Sequence, residues 1–554
     1  MSPNILDLPI ECLQKILQQT LPEGFESASL SCKAMHAASA YFIEGHNLRK
    51  RRFGNFLWSE ARPEGKHKVD STQPVPDEWW DKASQESGYI IPGPRELLEA
   101  IAEEPLVGRY IRTIKMADSS SMYYYYDDED DEDYLYWTLP QTPISDRLRE
   151  FVRASPDIAA VGGDPEVWIH AFDTGGAERD ASGHCYVNEY DDDENFRLKW
   201  YESFLLTLLP NVTTIQLPEW WYYGFFSDEG EHYRREFMPL REHIVKRAND
   251  SSIPDASLSH LSVILPVKGH GYECKESLEI HALFNGIQSL RELYHGGVVA
   301  LDDVYTGIEF NPTDHEWSRH IEIIELVGVV IGESELDRLL SLANKGSTLR
   351  VFHLGYEVKY HGCGLYWDAG ALLAVVQRHC ADSLEELMVT QISGSQDGGC
   401  CGSTLVDMTK FRKLKFIELD IEMLCGPAYD PENPVDLYND CENLGDPAWP
   451  ALVDLLPRSI QKVNIRVRSP MGDNTECITR LFMNFEAERS TKLPNLEEIT
   501  LFVPDRIGMT GEKASMEARA AVEFAESETC RIMRSERVGD SPFVEGFAHR
   551  FGLY

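Results

Sequence analysis

Three groups of residues have the types that could do chemistry, and each lacks a component that the chemistry needs. Asp173-Thr174-Gly175 matches the triplet of an aspartic protease, whose mechanism requires two carboxylates sharing one proton. No second such triplet occurs, so this one reads as a turn. Gly269-His270-Gly271 stands outside any GxxxxGK[ST] or full GxGxxG that would cradle a phosphate. Cys400 and Cys401, taken with Cys363 and His361, lack the two closely spaced ligand pairs of a structural zinc site, and read as buried or loop thiols. No GxSxG or HExxH is present, and the 17 histidines are scattered. These motifs leave no residue to which a catalytic, metal-binding or cofactor-binding role can be given; the expectation is a non-enzyme, with an enzyme of unfamiliar site as an alternative.

Composition narrows the remaining classes. A chain of 554 residues, 43% hydrophobic, is too long for one core and too apolar to be mainly disordered. A formal charge of −40 repels phosphate backbones and anionic lipid, which argues against nucleic acid and membrane partners. The opening residues MSPNILDLPIE show neither a basic n-region nor an apolar h-region, and no later run approaches the length of a membrane span. The expectation is a cytoplasmic or nuclear protein, with the glycosylation sequons at Asn211 and Asn249 as chance matches. Arg49 to Arg52 form a compact basic cluster that suits a helix C-terminus, with nuclear import as the alternative.

Residues 1–52 read as a small helical module. Asp7 is a candidate cap, Pro9 sits where a missing N–H costs nothing, and Glu11 suits the positive end of the helix dipole. Leu13, Ile16, Leu17 and Leu21 follow at helical spacing and make one apolar stripe. Pro22 and Gly24 stop that helix, and Phe25, Leu30, Met35, Ala38 and Phe42 supply a second and a third. So small a unit buries little of its own surface, so its stripe needs cover, from this chain or from a partner.

The order Leu8-Pro9-x-Glu11-x-Leu13-x-x-Ile16-Leu17, then Leu30-Ser31-Cys32-Lys33 and the small residues Ala34, Ala37 and Ala38, resembles the F-box. The match spans under a tenth of the chain, and Ser27-Ala28-Ser29 stands where that family is more apolar. The resemblance implies docking to a Skp-family adaptor of a cullin–RING ubiquitin ligase. By the same resemblance, Leu8, Pro9, Glu11, Leu13, Ile16, Leu17, Leu30, Cys32 and Lys33 are the expected adaptor-binding residues, and the stripe is expected to be the partner's surface.

Behind the module, residues 53–104 read as a linker with a helical segment, rich in proline and carrying Trp79-Trp80. Residues 105–510 repeat one grammar: a helical apolar stretch, then a short strand of the form apolar-x-x-apolar-x-apolar. Anchors at Ile215, Leu261, Leu293, Ile323, Val351, Leu387, Ile417, Val463 and Ile499 are separated by about 28 to about 46 residues. A strand at Ile111, Ile114 and Met116 precedes them, followed by an insertion at 123–134 containing the acidic run 127–133, which repels itself and stays solvated. A helix and a strand per unit, each with one apolar face, bury that face only against neighbouring units. The expected fold class is α/β: an N-terminal helical module, then a solenoid with a C-terminal helical cap over 511–554, its helix spanning 511–537. An ordinary α/β domain is the alternative. Strands such as Leu496-x-x-Ile499-x-Leu501 resemble an irregular leucine-rich-repeat array, which implies a protein substrate, held on the strand face or on loops such as 394–402. Function on this reading is that of a substrate-recognition subunit; a protein-binding scaffold whose N-terminal helices cap the array is the alternative.

Overall fold

Pro9, with φ −52° and ψ 149°, is the N-cap of helix α1 (Ile10–Gln19), and no side chain caps it. Helix α2 (Phe25–Leu30) and helix α3 (Lys33–Phe53) follow, and Cys32 opens α3 by accepting the Met35 N–H on its Sγ at 3.5 Å. The computed structural model describes residues 5, 8–58, 93–116, 143–174, 178–179, 185–186, 200–217, 231–253, 255–267, 276–278, 284–300, 317–357, 369–392, 407–424, 450–466, 480–502, 531–535 and 541–551. The candidate cap Asp7, Trp79-Trp80, the acidic insertion, Gly269 to Gly271, His361, Cys363, the 394–402 loop and residues 511–530 lie outside them. The chain is α/β and divides into two units, residues 1–262 and 263–554.

In the first unit, α1, α2 and α3 enclose a core of Leu13, Leu17, Leu21, Phe25, Met35 and Ala38, with Ile16, Cys32, Phe42 and Leu106 packed against it. The stripe expected to face a partner is thus the interior of the module itself. Strand β1 (Asn55–Trp58) follows α3 at once, inside the stretch read as linker, and pairs in parallel with β2 (Thr113–Met116), which pairs in parallel with β3 (Thr214–Gln216). Phe56, Ile114 and Ile215 share one register row and are buried. A helix of the linker spans Pro94–Glu103, and the strand read at Ile111, Ile114 and Met116 is β2, preceded by helix Leu106–Tyr110. A second core gathers Trp168, Phe172, Trp200, Tyr201 and Phe204, with Trp168 and Trp200 meeting edge to face at 4.8 Å. Asp173 is the penultimate residue of helix Pro165–Thr174. One of its carboxylate oxygens accepts from Arg149 at 2.6 Å and the other from the Ile144 N–H at 3.0 Å, a structural clamp.

The second unit is built on parallel strands whose spatial order follows their sequence order. They are β4 (Val263–Leu265), β5 (Glu292–Gly296), β6 (Ile323–Ile331), β7 (Val351–Tyr356), β8 (Glu386–Gln391), β9 (Phe416–Asp420), β10 (Lys462–Arg466), β11 (Glu498–Phe502) and β12 (Arg531–Ser535). Register is fixed by one row, Ile264, Leu293, Ile324, Phe352, Leu387, Ile417, Val463, Ile499 and Ile532. A second apolar row, Leu326, Leu354, Val389, Leu419, Ile465 and Leu501, lies two residues on, on the same face, and is buried throughout. The opposite face is mixed, with Tyr294, Glu325, His353, Met388, Glu418, Asn464 and Thr500 in one row.

Leu293, Leu387, Ile417, Val463 and Ile499 fall on the first row as expected, whereas Ile323 and Val351 stand one residue before it, on the other face. Runs such as IEIIELV contain two overlapping apolar alternations, and a shift of one residue exchanges the faces. Helices Glu333–Ala343 and Ala369–Cys380 connect successive parallel strands and bury their own stripes, as crossover helices on a sheet must. At Gly328, φ +68°, β6 carries a register irregularity, and beyond it Val330 and Ile331 pair with Val298–Ala300 instead of β5.

Two expectations for the C-terminus fail. Arg531–Ser535, read as the end of a helix, is strand β12, paired Ile499 to Ile532; pairing overrides weak local helix preference. Helix Pro542–Phe551, expected to seal the far end, instead packs on the mixed face over β4 to β8. Among the described residues, no helix is long and apolar enough to cross a membrane.

Candidate docking surface of the N-terminal helices

Polar contacts hold one side of the helical module to the rest of the first unit. Glu23 accepts from Arg109 at 3.1 Å and from the Asn211 side-chain amide, and Arg109 also reaches Asp255 at 3.4 Å. Burial opposes the charge on Glu23, but the Asn211 and Arg109 contacts outweigh it and hold its carboxyl below the ordinary range. His46, buried on α3, lies 2.9 Å from the Tyr110 hydroxyl through Nδ1 and 3.3 Å from Glu26 through Nε2. Glu26 is held low in pKa chiefly by its hydrogen bond from Lys50, at 2.6 Å, and then by His46. Burial pushes the Tyr110 phenol up to about 12, so it stays a neutral partner for His46. Arg49 pairs with Glu104 at 2.7 Å. The basic cluster thus occupies the last turns of α3, where a helix dipole favours cations, and half of it is committed to carboxylates.

The other sides of the module expose apolar side chains. Of the large exposed hydrophobic residues among those described, Ile5, Leu8, Ile10, Leu30, Tyr41 and Leu48 belong to it, and Met483 alone lies elsewhere. Leu30 is 76% exposed and Tyr41 80%. Scattered single exposures are ordinary on a protein surface; among the described residues, six of the seven fall in this one small module.

Burial separates the expected adaptor-binding residues into two sets. Leu8, Pro9, Glu11, Leu30 and Lys33 are exposed and free to meet another protein. Leu13 and Leu17 are interior, Ile16 is half-buried against the same core, and Cys32 is the half-buried cap of α3. Those four hold the module's shape. Ile5, Ile10, Tyr41 and Leu48 were not anticipated. Tyr41 and Leu48 are seven residues apart, two turns along α3, on a different face from the core residues Met35 and Ala38. The signal was present as apolar residues left over once a core stripe had been assigned, a sign of a second apolar face.

Within the described residues no three His, Cys, Asp or Glu side chains converge as a metal set. Cys380, the buried thiol at the end of helix Ala369–Cys380, is raised to about 12 by burial and receives the Asn344 amide at 3.6 Å, an inert packing role. Asn344 ties its own helix to the next by donating to the His379 carbonyl at 2.7 Å while accepting the Leu349 N–H at 3.1 Å. No protein-family model matches the chain, and no curated protein matches it.

Proposed function

We propose that this chain is the substrate-recognition subunit of a cullin–RING ubiquitin ligase, docking a Skp-family linker through the N-terminal helices and a protein substrate through the strand-and-helix region. The concentration of exposed apolar side chains on residues 5–48 carries the reading; the resemblance of Leu8 to Lys33 to the F-box names the partner. On this reading Leu8, Pro9, Glu11, Leu30 and Lys33 touch the linker, joined by Ile10. Leu13 and Leu17 keep the helices in place. The repeat region is an irregular leucine-rich-repeat-like solenoid, a reading supported by parallel strands in sequence order with one recurring register row. The chain performs no covalent step. It raises the effective concentration of a bound substrate beside the ligase, so its mechanism is positioning.

A second reading is favoured by the clamp of Glu23, Arg109 and Asn211 and by the Arg49–Glu104 pair: a protein-binding scaffold whose N-terminal helices are a fixed cap on the body. Removing residues 1–52 would sever those contacts under either reading. Co-expression decides between them. Full-length chain and a Skp-family linker should co-purify as a stoichiometric complex through gel filtration; separate elution of two folded proteins would overturn the ligase reading and leave the scaffold.

A further inference from the structure

The mixed face of the second unit is apolar under helix Pro542–Phe551, in a cluster that extends to Met388 and Ile392, and polar on the strands next to it. Thr390 of β8, Glu418 and Asp420 of β9, and Asn464 and Arg466 of β10 share that face, because residues two apart on a strand point the same way and Met388, Glu418 and Asn464 stand in one row. Thr390, Glu418, Asp420 and Arg466 are each 5% exposed or less. Arg466 and Asp420 are committed to each other. Arg466 Nη1 lies 3.4 Å from Asp420 Oδ1 and donates to the Gln391 carbonyl at 3.0 Å, while Asp420 Oδ2 accepts the Gln391 N–H at 2.8 Å. Glu418 is satisfied on one side only. Its Oε2 accepts the Asn464 side-chain amide at 2.9 Å, but its enclosed Oε1 has no hydrogen-bond partner, and neither has the enclosed Oγ1 of Thr390.

A carboxylate 1% exposed that meets no cation among the described residues is costly, because the hydration it gives up exceeds what one neutral amide returns. Arg466 does not make up the loss, since its charge is matched by Asp420. The three ionised groups leave one negative charge in excess. Thr390 stands two residues beyond Met388, the partner of Glu418 across the strands, so it is the diagonal neighbour of Glu418, with backbones about 7–8 Å apart. A group bonded to both free oxygens therefore sits between the two side chains and must carry a positive charge and more than one donor. A guanidinium binds a carboxylate best through both oxygens, and Asn464 already holds one of them. A divalent metal takes several oxygen ligands, carboxylates foremost, where only one free carboxylate oxygen is on offer. A primary ammonium fits: it is compact, monovalent and has three rotatable donors.

We propose that Glu418 and Thr390 form a binding site for a primary ammonium group on the mixed face of β8 to β10. The ammonium donates to Glu418 Oε1 and to Thr390 Oγ1, while Asn464 holds the second Glu418 oxygen in place. It arrives on a free alkylamine or at the end of a lysine side chain, whose unbranched apolar stem suits an enclosed carboxylate. The site does not depend on what the N-terminal helices bind; the lysine source alone rests on the reading of the strand region as the part that holds a protein.

The test titrates the full-length chain, without any linker protein, with n-butylammonium and with an end-blocked Gly-Ala-Lys-Ala-Gly peptide, using butanol and the acetyl-lysine peptide as controls. Butylammonium should bind wild type saturably and raise its melting temperature by mass action. Glu418→Gln should bind roughly tenfold weaker or more, as loss of a charged hydrogen bond demands, and should melt higher than wild type when no amine is present. Thr390→Val, which keeps the shape and removes the hydroxyl, should weaken binding about fivefold; it carries the comparison if Glu418→Gln does not fold. Binding of the peptide as well assigns the ammonium to a protein lysine, and binding of butylammonium alone assigns it to a free amine. The proposal is overturned if neither probe binds the folded wild type, if butanol binds equally, or if the variants bind as wild type does. It is also overturned if infrared spectra at neutral pH show a carboxylic-acid band that Glu418→Gln removes, because a proton would then fill the place of the cation.

Discussion

The N-terminal helices and the strands of the second unit solve the same problem in opposite ways. Each strand from β5 to β11 buries its apolar row against neighbours of its own chain; the row at Ile324 runs unbroken from β5 to β11 and the row at Leu326 from β6 to β11. The helical module buries one stripe and leaves Leu8, Ile10, Leu30, Tyr41 and Leu48 in solvent. Hydrophobic surface left exposed beside a satisfied core is surface with another use. On the proposed reading, the residues that dock are those the module's own core did not take.

The sharpest way to break that comparison is to truncate one residue from each side of it. Leu17→Ala removes a fully buried side chain from the module core and should cost about 3 kcal/mol, read as a lower denaturant midpoint of the first unit. Leu30→Ala, at a side chain already in solvent, should stay within about 0.5 kcal/mol. Equal losses would mean that Leu30 is packed in the protein and that no free surface exists there.

A second prediction concerns the two faces of the sheet. Gly355→Ala pushes a Cβ toward Val544 and should cost about 1–3 kcal/mol through overpacking, with faster amide exchange over 543–551 and unchanged exchange at Leu419 and Ile465. Exchange rising equally at Leu419 would show that the two faces are not independent.

How much of this was legible in the sequence differs between the same two regions. The recurring strands were legible because period-two alternation survives in isolation, and Leu387, Ile417, Val463 and Ile499 were placed on the row they occupy. Ile323 and Val351 stand one residue off, because each is followed by another apolar residue, Ile324 or Phe352, and only pairing selects the face. The seat of Pro542–Phe551 was not legible: its amphipathic stripe announces burial, but nothing local distinguishes the end of a sheet from its face. In the module, Leu13 and Leu17 carried the strongest pattern and proved structural, while Tyr41 and Leu48 carried a weaker one and stayed exposed.

One rim of the second unit shows order that no single segment displays. The residues just before these strands, Arg291, Glu322, Arg350, Glu385 and Lys415, alternate in sign and are joined through their backbones, the N–H of each from Glu322 onward donating to the carbonyl one strand back at 2.7–2.8 Å. Glu322 bridges Arg291 at 2.8 Å and Arg350 at 3.2 Å, and Lys415 bonds Glu385 at 2.7 Å. Glu322→Lys would place three cations in a row. Because these groups are partly solvated, the loss should be about 1 kcal/mol or less and should shrink as salt is raised, measured by urea midpoints at low and high ionic strength.

Acid should act at the C-terminal helix more gently. Burial raises the Glu325 pKa, but His353 and Arg550 outweigh it and the carboxyl lies below its ordinary range. A carboxylate lowered by folding stabilises above its unfolded pKa, and that contribution fades as pH falls through the folded value. Amide protection of residues 543–551 should therefore be constant near neutrality and decline below about pH 4, with Glu325→Gln removing the decline.

The central claim, that exposed rather than buried apolar residues of the module form its docking surface, is tested most directly by the affinity of the full-length chain for a purified Skp-family linker, measured by titration calorimetry. Wild type should bind, and Leu8→Asp with Leu30→Asp should weaken binding at least a hundredfold while the thermal transition stays within a few degrees of wild type. Unchanged affinity in that double variant, or no heat of binding from the wild-type protein, would contradict the account.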